Sequence, residues 1–315
     1  MITEFKNIER CRRFSESTVS KLTAEFEKEL DNRNITLVTT GSYARKEASE
    51  HSDLDLFVIA KNDPSEVLFE DKEKIENITS IKIKKPVGDT GIFGSGAIES
   101  IENMLTNLGG SKDRNDKLTR RMLFLLESAP LYNEQLYQKA KLKLIQRYIK
   151  NLQDDQIARF LLNDFIRYYR TISTDFEYKV VEAGKSWGLR NIKLSFSRKL
   201  LYFAGILAVA ETHGVPAENK ASKLYVLLEY PPIERVRVVC GDYANNALSH
   251  YDYFLGELCT EEVRRELECD RDQAKEKSIA FRSLKDKSKD FSYALEDTLN
   301  AVYEKKHPIH HALLF

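Results

Sequence analysis

The hydrophobic pattern changes period twice within the first sixty residues. Between 14 and 31 (FSESTVSKLTAEFEKELD), Val19, Leu22, Phe26 and Leu30 recur every three or four positions, which places them on one face of a helix. Residues 35–40 (ITLVTT) are rich in β-branched side chains and stop at Gly41, predicting a strand. A polar stretch runs to Ser52. Residues 53–60 (DLDLFVIA) then predict a second strand, with Leu54, Leu56, Val58 and Ile59 beside two acids. Residues 61–77 are charged and contain Asp63-Pro64, predicting a loop and a short helix. Residues 78–84 (ITSIKIK) alternate as a strand would. Gly88, Gly91, Gly94 and Gly96 crowd the next segment. It either covers a ligand or connects two domains, and both readings stay open. Beyond residue 97 the pattern is mostly helical: 116–127, closed by Ser128-Ala129-Pro130, then 134–150, 155–180, 193–213 and 272–306. The expected architecture is a small α/β domain over 1–110, a mixed sheet flanked by helices, followed by an all-α domain over 111–315.

Composition narrows this picture. A chain of 315 residues with 42% hydrophobic content can build sizeable cores in one large or two ordinary domains. Lysine plus arginine equals aspartate plus glutamate at 49 each, so net charge gives no overall footprint for DNA, although a local basic patch is compatible with it. The opening residues MITEFKNIERCRRF lack the apolar core of a secretory signal, and no 18-residue apolar run predicts a membrane span. Cys11, Cys240, Cys259 and Cys269 lack metal-ligand spacing and read as free thiols of a cytoplasmic protein.

The candidate chemistry lies around residues 41–55. Side chains two apart on a strand share a face, so Asp53 and Asp55 point the same way. Two like charges on one face repel unless a cation offsets them, and Mg²⁺ or Mn²⁺ suits oxygen ligands and phosphates. Gly41 allows a ligand close to the backbone, and Ser42 offers a hydroxyl and an amide to a phosphate. A helix starting near Ser42 would aim its N-terminus at the same anion. Arg45 and Lys46 follow, close to where phosphates would sit.

Gly41-Ser42, a ten-residue gap, then Asp53-Leu54-Asp55 in an apolar strand resembles the signature of polymerase-β-type nucleotidyltransferases. A second block, residues 170–192, is similar to the helical domain of bacterial protein uridylyltransferases and the stand-alone DUF294-type enzymes. Gly188-Leu189-Arg190-Asn191-Ile192 matches at four of five positions, with Asn191 in place of an acid. Leu125–Ser128, Leu131-Tyr132 and Val87-Gly88 also fall where that family has related segments, and the resemblance spans roughly residues 35–210.

The resemblance implies a transferase that moves a nucleoside monophosphate from an NTP such as ATP to an acceptor: a protein, an RNA end, a nucleotide or a small molecule. It implies Asp53 and Asp55 as catalytic metal ligands and Gly41 and Ser42 at the phosphates. It implies a third carboxylate on a neighbouring strand. Lys82 falls near that place, leaving Asp89, Glu127 or Glu177 as substitutes. Without one, the chain would be a nucleotide sensor or scaffold. Arg45, Lys185 and Arg190 are the further nucleotide-binding candidates. Lys185 and Arg190 flank the single tryptophan, Trp187, which either stacks on a base or anchors its loop. Arg167 and Arg170 either grip phosphates or, for Arg167, pair with Asp164. His307, His310 and His311 read as a solvated or packed tail rather than a metal site.

Overall fold

The computed structural model describes residues 5–82, 98–181 and 186–314. In chain order the elements are α1 (Lys6–Glu29), β1 (Ile35–Thr40), α2 (Gly41–Ala44), β2 (Asp55–Ala60), α3 (Phe69–Lys82), β3 (Ile98–Ser100), α4 (Ile101–Leu105), α5 (Asn115–Leu126), β4 (Ala129–Tyr132) and α6 (Glu134–Tyr148). There follow α7 (Arg159–Val181), α8 (Trp187–Lys193), α9 (Lys199–Ala210), α10 (Lys220–Glu229), α11 (Pro232–Cys240), α12 (Asn245–Leu258), α13 (Glu261–Leu267), α14 (Arg271–Glu276), α15 (Ile279–Val302) and α16 (Pro308–Leu314). A small mixed sheet with helices is thus followed by a mostly helical region.

The chain divides into two compact units. The sheet-containing unit comprises 11–152 and 216–231. The helical unit comprises 1–10, 153–215 and 232–315. The first therefore runs past residue 110, because Ala129–Tyr132 supplies a fourth strand to its sheet.

The strand order is β3-β2-β1-β4. β1 is antiparallel to both β2 and β4, while β2 and β3 run parallel. Pro130 lacks an amide donor, and it sits on edge strand β4, where that lack is tolerated. Leu54, Leu56, Val58 and Ala60 join one core cluster with Leu22, Phe26 and Leu30 of α1 and Ile75 and Ile78 of α3. The period-2 face of a strand here meets the period-3.6 faces of two helices. Ile59 belongs to the opposite, equally buried face of β2.

One element departs from expectation. Residues 78–82 continue α3 instead of opening a strand. Ile75 and Ile78, three apart, bury together, and the Thr79 hydroxyl donates to the Ile75 carbonyl at 2.8 Å, a bond only a helical turn permits. Residues 83–97, including the glycine-rich segment and Asp89, lie outside the described residues, as does Lys185.

In the helical unit, α9 is buried along almost its whole length, as a central helix must be. Phe196 stacks on Phe254 at 4.5 Å and on Phe291 at 5.2 Å. Trp187 is buried against Phe281 and Phe176, so it anchors α8. A Cβ on Gly188 would lie 2.7 Å from the Leu267 carbonyl oxygen, backbone that cannot step aside. Gly188→Ala is therefore expected to destabilise by ~1–3 kcal/mol, the usual cost of overpacking, read from the urea midpoint. The tail packs: Ile309 and Ala312 are buried in α16, and His310 Nε2 lies 3.0 Å from the Tyr303 carbonyl. Among the described residues, no helix is long and apolar enough to cross a membrane.

Candidate active site

The chain leaves β1 at Thr40 and re-enters the sheet at Asp55, directly opposite it. Gly41 and Asp55 thus lie at the same end of the sheet. Gly41 has φ +68, and a Cβ there would stand 2.5 Å from Asp55 Oδ2. The glycine backbone lies against the carboxylate, and any larger residue there would have to displace it and adopt a left-handed φ. The Thr39 hydroxyl donates to the Asp55 carbonyl at 2.9 Å and fixes the strand start.

Between them the chain makes one turn, α2. Arg45 N–H donates to the Gly41 carbonyl at 3.0 Å and Glu47 N–H to the Ser42 carbonyl at 2.8 Å. Lys46, with φ +59, then ends the turn. Four residues build little macrodipole, so the expected helix N-terminus reduces to a few backbone N–H groups. Ser42 is half-buried in this turn. Leu54 is fully buried in the core, while Asp53 is exposed and Asp55 half-buried on either side of it. Tyr43 is buried, and burial followed by the nearby charge of Asp53 raises its phenol pKa. Asp55 at Gly41 and Asp53 near Tyr43 therefore bracket the turn.

Arg45 takes a different role from the phosphate contact expected of it. Its guanidinium is buried, donating Nε–H to Glu47 at 2.8 Å and Nη1–H to Glu127. Two buried carboxylates hold the cation that adjacency to Gly-Ser suggested for a phosphate. Lys46 donates to Glu16 at 2.7 Å. The sequence reading missed Glu47; its only signal is its position two residues after Arg45. Glu127 caps α5 two residues before β4, and Ala129 pairs with Thr39, so Glu127 stands at the Gly41–Asp55 end of the sheet. Of the other third-acid candidates, Glu177 is exposed on α7, in the helical unit. Glu99, which the sequence did not single out, pairs with Ile59 in register and with Arg120 at 2.7 Å. Four strand residues from Asp55, it is displaced by ~13 Å along the sheet. Among the described residues, no group of three or more His, Cys, Asp or Glu side chains converges as a metal site.

A pocket of about 620 Å³ is lined by Glu27, Arg33, Lys61, Asn133 and Lys139. Lys61 follows the last residue of β2, so this pocket lies at the opposite end of the sheet from Asp55. Arg190 is in the helical unit, half-buried, and lines a pocket with half-buried Arg198 and exposed Lys193. Arg167 has Asp164 at 3.7 Å, the local pair that is one of its two readings.

Residues 19–89 match the family model of the nucleotidyltransferase domain. The matched stretch is under a quarter of the chain, but it contains Gly41, Ser42, Asp53 and Asp55 together with most of the elements that carry them. The match supports a polymerase-β-type transferase of nucleotidyl groups. No curated protein matches the chain. The narrower likeness of residues 170–192 to the uridylyltransferases gains no support from either comparison.

Proposed function

We propose that the chain is a divalent-metal-dependent nucleotidyltransferase. It passes the nucleoside monophosphate of an NTP to a nucleophile on an acceptor and releases pyrophosphate. The observation that carries this reading is Gly41, held at φ +68 against the Asp55 carboxylate inside a matched nucleotidyltransferase segment. Asp53 and Asp55 are the metal ligands. Hard carboxylate oxygens, one exposed and one half-buried beside a side-chain-free residue, suit Mg²⁺ or Mn²⁺. The bound ion supplies neutralisation of the triphosphate and activation of the attacking oxygen. Gly41 leaves room for the phosphates beside Asp55, and Ser42 donates its hydroxyl and amide to those that depart. Arg45, through Glu47 and Glu127, pins the phosphate-binding turn to the end of α5. The four cysteines, none of them disulfide-bonded, fit the reducing cytoplasm expected for the protein.

The test is pyrophosphate release from each of the four NTPs with Mg²⁺, repeated after chelation. Release that needs the metal is expected, and equal release in chelator would overturn the metal assignment. Ser42→Ala removes one charge-assisted hydrogen bond, worth ~1.5–3 kcal/mol. It should lower kcat/KM roughly 10- to 100-fold at unchanged melting temperature. Wild-type kinetics in that variant would remove Ser42 from the phosphate site.

A further inference from the structure

His213, His307 and His310 come together in the helical unit, where the proposed transfer chemistry does not use them. His307 immediately precedes α16, which packs on α9 and buries Ile309 and Ala312. Pro308, the first residue of α16, has no amide proton, and the His310 N–H donates to the His307 carbonyl at 3.2 Å. The Ile309 N–H donates instead to His307 Nδ1, also at 3.2 Å. The imidazole thus caps α16 as the side chains of Asn133 and Asp270 cap α6 and α14. An accepting Nδ1 carries no proton, so this cap exists only in the neutral ring with its proton on Nε2.

The two neighbouring rings differ in this respect. His213 Nδ1 lies 2.9 Å from the Asp155 carbonyl, and His310 Nε2 lies 3.0 Å from the Tyr303 carbonyl. A carbonyl only accepts, so both nitrogens donate and both bonds survive protonation. His307 alone of the three loses its bond on taking a proton, because Nδ1–H would then face the Ile309 N–H, donor against donor. The new charge would also stand beside His213, the ring centroids being 4.9 Å apart.

The groups around His307 set the sign of the effect. Burial, then His213 and His310, disfavour its charged form, while Glu211 favours it; the balance holds its pKa below the ordinary histidine value. Tyr303 packs on the His307 ring at 4.6 Å and donates its hydroxyl to Glu211 at 3.0 Å. Burial pushes up the Tyr303 phenol and the Cys240 thiol at the end of α11, so both keep their protons in mild acid. Glu304, Lys305, Lys306 and His311 flank the ring along the chain, all exposed, and Asp154 and Asp155 lie beside the His213–Gly214 turn. A released α16 leaves His307 at its ordinary pKa, so the released state binds more protons. Docking is therefore complete above about pH 6.5 and weakens as pH falls through it.

We propose that His307 is a pH-sensitive latch for α16: its neutral ring caps and docks the helix, and its protonation releases it. Release uncovers Ile309, Ala312 and the part of α9 on which they pack. The latch lies within the helical unit and stands whether or not the transfer reading holds.

The test is hydrogen–deuterium exchange of the full chain at about pH 7.5 and about pH 5.5, either side of the ordinary histidine pKa, with each amide corrected for its intrinsic rate. In wild type, protection of the α16 amides should fall roughly fivefold or more at the lower pH, the worth of an N-cap, while the α9 amides keep theirs. His307→Asn puts a capping amide that does not titrate in place of the imidazole, so its α16 protection should be the same at both pH values. Unchanged α16 protection in wild type would overturn the proposal. An equal fall in His307→Asn would also overturn it, by placing the titrating group elsewhere. Should that variant not fold, nitrogen-resolved NMR of the wild-type histidines decides. At the higher pH His307 should be neutral with its proton on Nε2, and a proton on Nδ1 would remove the latch.

Discussion

Asp55→Asn and Asp53→Asn are each expected to abolish nucleotidyl transfer while the protein remains folded. Neither acid is part of the hydrophobic core: Leu54, Leu56 and Val58 hold β2 in the sheet. Asn keeps the shape of Asp while halving the oxygen ligands and removing the charge that two neighbouring carboxylates concentrate at one turn. Metal stabilisation of phosphoryl charge is worth several kcal/mol. At tenfold per ~1.4 kcal/mol, losing it lowers kcat roughly a thousandfold or more. The measurement is single-turnover pyrophosphate release at saturating NTP and metal, alongside thermal unfolding. A folded variant within tenfold of wild type would remove that aspartate from the metal site.

Gly41→Ala is expected to be nearly as damaging to turnover, for a different reason. The new Cβ would fall 2.5 Å from Asp55 Oδ2, and the carboxylate must rotate away. An L-residue at φ +68 adds a left-handed backbone cost of ~1–2 kcal/mol. Stability should therefore drop by that modest amount, while activity should drop toward that of Asp55→Asn. Combining the two substitutions separates the causes. If Gly41 acts by seating the carboxylate, Gly41→Ala should cost almost nothing further in an Asp55→Asn background, the non-additivity of groups that act as a unit. Full additivity would mean that Gly41 serves the phosphates independently of Asp55.

The centre of this site is legible in the chain because its determinants are local. A β-branched run ending at Gly41, and acids alternating with Leu54 and Leu56, specify two strands and a tight turn within about twenty residues. What the sequence conceals is long-range. Arg45 stands next to Gly-Ser, so adjacency suggests a phosphate, yet Glu127, 82 residues away, holds its guanidinium. β3 and β4 have three and four residues, too few to display a period, and Pro130 disguises the second as a helix stop. ITSIKIK alternates like a strand, but over its described part, 78–82, packing of Ile75 and Ile78 on the sheet decides for helix. Trp187 is surrounded by charged residues in sequence and by Phe176 and Phe281 in space, and the second environment sets its role.

The central claim is transfer of a nucleoside monophosphate, as opposed to hydrolysis or phosphorylation. It is tested most directly with ATP labelled on either the α- or the γ-phosphate, incubated with the protein, Mg²⁺ and a cell extract as the source of acceptors. The account predicts that the α-label moves into a new species bearing AMP while the γ-label leaves as pyrophosphate, and that neither happens with Asp53→Asn/Asp55→Asn protein. If only inosine-, guanosine- or pyrimidine-based substrates react, the same label pattern should hold with the reacting nucleotide. Transfer of the γ-label to an acceptor, or an α-label that stays in ADP, would contradict it.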